Sequence, residues 1–178
     1  MAVQKKKFFE VEVPLTGEPV ELYSYDLESL NGRNMKLDLA RLFRGKGVEA
    51  SFSICLENSK AIAKPRMMKV LPYFIRRAMR KNISYVEDSF SAKCRDAQLR
   101  LKPFLITRKE VSRKVRNALR LAARDFLNEY LKDRSSEEIF GDILSSKLPK
   151  SLSVRLKKTY PLALCEIRHI EVENVKKE

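Results

Sequence analysis

The sequence has no tryptophan, one histidine, three cysteines and five glycines among 178 residues. Each scarcity closes a route to function. The single histidine, His169, lies in a strand-like pattern between Arg168 and Ile170 with no cysteine near it, so neither a general base nor a Cys/His nucleophile pair is signalled. Cys55, Cys94 and Cys165 are odd in number and far apart, which argues against a disulfide framework or zinc knuckle and for small buried thiols in a reducing compartment. The one Gly-x-Gly, Gly45-Lys46-Gly47, lacks a third glycine and leads into a strand, so neither phosphate-cradle motif applies. No apolar run approaches the roughly 18 residues of a spanning helix. The basic start has no apolar stretch behind it of the kind a leader peptide carries.

What the chain has is positive charge. Lys and Arg number 37 against 23 Asp and Glu, a net charge of +14. Such a surplus points to a polyanion, nucleic acid ahead of an anionic membrane. The apolar fraction of 44% is that of a globular protein. Carboxylates such as Glu10, Glu12, Asp26, Glu28 and Asp38 are scattered on strand-like segments and read as solvated faces, not as a paired acid and base or a metal cage. No cofactor or metal is called for, and no catalytic constellation is found.

Residues 1–64 are mainly strands. FFEVEV (8–13), VELYSYDL (20–27), NMKLDLARLF (34–43) and VEASFSICLE (48–57) alternate with period two, with RGKG (44–47) as a hairpin turn. Residues 65–92 read as helix, with Met68, Leu71, Ile75, Ala78 and Met79 inward and Pro72 kinking or restarting it. Strands return over 93–106. From Thr107, whose spacing to Glu110 fits a capping box, a helix runs to about Tyr130, and two shorter helices carry the chain to 159. Ser135 or Ser136 caps the first of these. A strand over 160–173 ends the pattern. With no repeats and no linker, one mixed α+β domain is expected.

TRKEVSRKVRNALRLAARD (107–125) holds seven basic residues and two acidic ones. At about 100° per residue, Val111, Val115, Ala118, Leu119, Ala122, Phe126 and Tyr130 form an apolar stripe. Lys109, Arg113, Arg116, Arg120 and Arg124 share a second one, where like charges at i,i+3 and i,i+4 repel. Three further clusters are Lys5-Lys6-Lys7; Arg76, Arg77, Arg80 and Lys81; and Lys157 with Lys158. Arg108 sits at the start of the main stripe. Arginine dominates, and its planar fork suits phosphate. Phe90, Phe104 and Phe126 sit among apolar neighbours, and no aromatic pattern for single-strand stacking interleaves with the charge. Neither an RNP1 octapeptide nor a GXXG loop is present. Backbone recognition of a folded nucleic acid remains.

KSLSVRLKKTYPLALCEIRHIEVEN (150–174) then resembles a hallmark of the S-three-A-e family of archaeal and eukaryotic small-subunit ribosomal proteins, in which a lysine-bearing helix leads into Tyr-Pro-Leu and a basic strand. KKKFFEVEVP (5–14), LNGRNMKLDLARL (30–42) and LRLKPFLITRK (99–109) agree in order, and RRAMRKNISYVED (76–88) more loosely. The chain departs at Phe8/Phe9, where the family has tryptophan, at Asp96-Ala97, where it has Asp-Gly, and at His169, where Lys or Arg is common. It also lacks the long basic extensions of eukaryotic members, as a compact archaeal-type member would. The resemblance implies an antiparallel β-barrel-like sheet with flanking α-helices. It also implies a cytoplasmic, structural role on the platform of the small subunit near the mRNA exit side. There the single rRNA-binding domain would touch 16S-type rRNA, neighbouring platform proteins and mRNA near the exit. The basic residues named above would make the RNA contacts. Two other readings compete: an RNA-processing or RNA-modifying enzyme using His169 with Asp38 or Glu166, and a peripheral membrane module inserting Met68, Leu71 and Ile75.

Overall fold

The computed structural model describes residues 5–43, 45–57 and 60–175; Arg44 of the RGKG turn lies outside them. Alternation becomes pairing in the first third of the chain. β1 (Lys7–Glu12) buries Val11 and leaves Phe8, Glu10 and Glu12 exposed, and β2 (Val20–Ser24) returns antiparallel beside it. β3 (Asn34–Asp38), β4 (Val48–Glu57) and β5 (Lys60–Val70) make a meander that buries Met35, Ala50, Phe52, Ile54, Ala63 and Met68. β6 (Tyr85–Glu87) and β7 (Phe90–Lys93) both pair with β8 (Ala97–Thr107), which runs antiparallel to β9 (Leu162–Val175). β5 joins the halves. Its residues 61–62 lie parallel to β1, and its residues 67–69 lie antiparallel to β9.

The order is β2-β1-β5-β9-β8-β6, with β4 and β3 branching from β5 and β7 from β8. The fold is α+β, as the sequence implies, but the barrel does not close. Among the described residues no strand links β2 or β3 to β6 or β7. The strands that end this path, β2 and β6, have five and three residues. Helices cover the sheet instead: α2 (Arg113–Leu131) packs over β6 and β7, α3 (Ser136–Leu144) against β5, and α4 (Lys147–Leu156) on β9 between the other two.

Two helix expectations need correction. Residues 66–70 are strand, because β5 pairs with β4 as far as Val70, and only α1 (Pro72–Ala78) is helical, with Pro72 in its first turn. Residues 85–87 and 90–92, within the expected helix, are strand as well. Nor does the long helix start at Thr107. That residue is buried at the end of β8; its hydroxyl accepts the Ser84 amide at 3.0 Å and lies 2.8 Å and 2.7 Å from the Ser84 and Lys109 carbonyl oxygens. The cap it would have supplied is engaged by the segment leading into β6, so the chain bends at Arg108 and Lys109 and turns helical only after Ser112. Ser135 does cap α3, its hydroxyl accepting the Glu138 amide, and the Ser135 amide donating to the Glu138 carboxylate completes the box.

Asp96 ties β8 to α3. Its carboxylate accepts the Ser136 amide at 2.8 Å and the Ser136 hydroxyl at 2.6 Å. Burial pushes the Asp96 pKa up, but the hydrogen bonds it accepts, those from Ser136 foremost with the Cys94 thiol and its own amide, together outweigh it and hold the carboxyl below its ordinary value of 3.8. A carboxyl depressed by folding adds stability above its unfolded pKa, and the contribution disappears as pH falls through the folded value. Asp96→Ala is therefore expected to lower unfolding free energy by about 1–2 kcal/mol at neutral pH. Urea titrations should show that gap shrinking towards about pH 3; a gap of constant size would mean the ionised carboxylate is not what Ser136 binds. Ala97 needs no glycine here, since positive φ among non-glycine described residues occurs only at Asn82 and Ser146.

Candidate nucleic-acid interface

α2 holds two opposed chemistries. Leu119, Ala123, Leu127 and Leu131 are buried at successive i,i+4 positions, flanked by half-buried Val115, Ala122, Phe126 and Tyr130. The buried seam lies to one side of the apolar stripe drawn from sequence, and Ala118 is exposed. Each buried leucine contributes about 1.5–3 kcal/mol, against a few tenths for each like-charge pair on the other face. Packing wins, so the helix can carry a basic face without losing its structure.

On that face Arg113, Arg116 and Arg120 are exposed, and none makes an ion pair among the described residues. The Arg120 guanidinium donates to the Asn117 side-chain oxygen at 2.9 Å. Arg124 differs: its guanidinium lies 4.0 Å from an Asp88 oxygen and 5.1 Å from the Phe90 ring centroid. Lys109 precedes the helix and is not on the stripe. An open trough of about 770 Å³ runs between α2 and β6, lined by Tyr85, Val86 and Glu87 on one wall and Arg113, Lys114, Arg116, Asn117 and Arg120 on the other. Its one acid, Glu87, accepts from Arg168 at 2.9 Å, so the trough stays positive. The first turn of α2 contains no acid, and Ser112 gives it no side-chain cap. The positive end of the helix dipole thus coincides with Arg113, Lys114 and Arg116.

The other clusters are placed by the sheet. Arg76 and Arg77 occupy the last turn of α1, which ends before Arg80, so Arg76 and Arg80 do not share a helix face. Arg80 instead meets Arg108 across a hollow of about 410 Å³ floored by Ile83, Ile106 and Leu164. Lys81 lies in the turn that follows α1. Lys157 and Lys158 follow the last residue of α4, just ahead of Leu162, which pairs with Thr107 and so lies beside Arg108 and Lys109. Arg80, Arg108, Lys109, Lys157 and Lys158 thus gather where β8 ends and β9 begins. Lys5, Lys6 and Lys7 do not. Val11 pairs with Ala61, near the start of β5, whereas Lys69, near its end, pairs with His169; the opening lysines thus flank the opposite end of the sheet from Leu162.

Sequence reasoning missed Lys114 and Tyr85. Lys114 lies off the i,i+3/i+4 stripe, and Tyr85 reaches the trough only because β6 pairs with β8. The ion pairs explain why this side is bare. Those of Lys36, Lys46, Lys60, Lys64, Lys69, Arg100 and Arg168 all lie on the sheet or its loops, and Arg134 pairs with Asp142 between α2 and α3. Among the described residues, Arg124 alone of the fifteen basic candidates joins them.

The chemistry of the competing readings is not assembled. His169 faces Glu171, 3.2 Å from its Nε2, while Glu166 is held by Lys46 and Asp38 accepts the Ala40 amide. Burial pushes the Cys165 thiol up to about 12, and Cys94 is raised for the same reason. Among the described residues no group of three metal-ligating side chains converges. No helix among them is long and apolar enough to cross a membrane. Met68 is buried in β5, not available for insertion.

Comparison with known proteins agrees with this arrangement. The chain is similar to the "Small ribosomal subunit protein eS1" of Nanoarchaeum equitans (strain Kin4-M), with 28% identity over 178 residues, covering 96% of this chain and 90% of that protein. The sequence model of the Ribosomal S3Ae family matches residues 2–176. A match along nearly the whole chain fixes the kinship: this protein belongs to the Ribosomal S3Ae family.

Proposed function

We propose that the protein is a structural, non-catalytic component of the cytoplasmic small ribosomal subunit, seated on the platform near the mRNA exit side and bound to rRNA and neighbouring platform proteins. RNA is held mainly by phosphate contacts from Arg113, Arg116 and Arg120, with Lys114 beside them. Arg80, Arg108, Lys109, Lys157 and Lys158 extend the surface around the start of β9, and Arg76, Arg77, Lys81 and Arg124 border it. One observation carries this reading: three exposed arginines on one face of α2 have no counter-charge among the described residues. They stand about 4.5 and 6 Å apart along the helix axis, on the scale of successive phosphates of one strand. Without a polyanion the repulsion and the helix dipole both disfavour them there; phosphates reverse both signs.

The test is sedimentation. The chain is expected to travel with small subunits in a sucrose gradient at about 0.1 M salt. Rebinding to subunits stripped of it should be lost by about 1 M, because counter-ion release drives the association. A chain that stays at the top of the low-salt gradient would overturn the reading.

A further inference from the structure

The β1–β2 hairpin carries a second kind of surface. Register places Phe8 opposite Tyr23, with ring centroids 4.9 Å apart and planes 42° apart. The Lys6 ammonium rests 5.6 Å from the Tyr23 ring centroid and 5.0 Å from that of Tyr25. These rings are open to solvent: Phe8 is 69% exposed, Tyr23 51% and Tyr25 50%. Three neighbouring aromatics left outside a well-filled core serve something other than folding.

Charge says what covers them. Lys5, Lys6 and Lys7 flank the rings, exposed and without a carboxylate partner among the described residues. A ligand that joins flat apolar faces to regular negative charge is a single-stranded nucleic acid. We propose that this hairpin stacks unpaired bases of an RNA segment on Phe8, Tyr23 and Tyr25, with the lysines on its phosphates. The inference rests on the RNA reading above but concerns the opposite end of the sheet. One row along, Glu10 faces Glu21, both exposed. That acidic row repels phosphate, so the strand crosses the hairpin at the level of Phe8 and Tyr23 instead of following β1, and the site holds only a base or two. Lys6 already occupies the tyrosine faces, but a cation over an exposed ring is a weaker contact than a stacked base. On binding, the ammonium gives way and turns to the backbone.

Titration of the intact chain with a short fluorescein-labelled oligouridylate tests this. Phe8→Ala with Tyr23→Ala should weaken binding by about tenfold or more with the salt slope unchanged, because stacking carries little salt dependence. Tyr23→Phe should bind like the parent. Lys5→Gln, Lys6→Gln and Lys7→Gln together should flatten the slope by about two units, at about 0.7 per single-strand phosphate. Both aromatic positions are exposed, so thermal unfolding should match the parent. Undiminished oligouridylate binding by the aromatic double variant would overturn the proposal, and if that variant also joined small subunits poorly, the platform would be a protein-docking face. An α2 variant that keeps structured-RNA binding would sink the function proposed above and leave this one standing.

Discussion

Replacing Arg113, Arg116 and Arg120 together by Gln is expected to weaken binding to structured rRNA about a hundredfold near 0.15 M salt and leave the fold intact. Each phosphate neutralised on a duplex contributes about 0.9 to the slope of log affinity against log salt. Three contacts therefore flatten the slope by two to three units, and over the interval from 1 M to 0.15 M that amounts to about two decades of affinity. The side chains lie on the solvent side of α2, and Gln forms helix nearly as well as Arg. Stability should even rise. Arg113 and Arg116 lie in the first turn, where each positive charge opposes the helix dipole by about 0.3–1 kcal/mol. A variant that melts at or above the parent temperature yet loses RNA would separate function from folding in one protein. Filter binding across a salt series decides it: an unchanged slope would mean that phosphates do not touch this face.

How much of this was legible depended on how local each cause is. The period-two alternation of FFEVEV and VEASFSICLE announces strands because each has one buried and one open side. β5 conceals itself. It has neighbours on both edges, Met67, Val70 and Leu71 are half-buried beside buried Met68, and the resulting apolar spacing passes for a helical face. The start of α2 was misplaced for a different reason. Thr107-x-x-Glu110 is a valid capping signature, but the hydroxyl is taken by Ser84, twenty-three residues away. The basic stripe itself was readable, since a 3.6-residue period is written in the sequence. The meeting of Arg80 with Arg108 was not, because it depends on the segments flanking β6 and β8. Nor was the platform of Phe8 and Tyr23, which a one-residue change of register would dismantle. Charge against one helix could be inferred from spacing; charge against another segment required the sheet.

Leu127→Ala is expected to cost about 2–5 kcal/mol. Leu127 is fully buried in the core cluster, on the side of α2 that lies over β6, β7 and α4. Truncation leaves a cavity between elements that cannot easily collapse, since Tyr130 near the end of the helix and Arg134 just beyond it both bind buried Asp142. For a chain of this size that is a fall in melting temperature on the order of 10 °C. Leu121, six residues earlier and 47% exposed, should tolerate the same change within about 0.5 kcal/mol. Well below its melting temperature, Leu127→Ala should still bind rRNA with the parental salt slope, because no phosphate contact is removed. The arginine triple and the leucine single variant thus predict opposite outcomes, affinity lost without loss of stability and stability lost at constant slope. Equal costs at Leu127 and Leu121 would mean that α2 is rotated from the position described, and the arginines would then face the sheet instead of RNA.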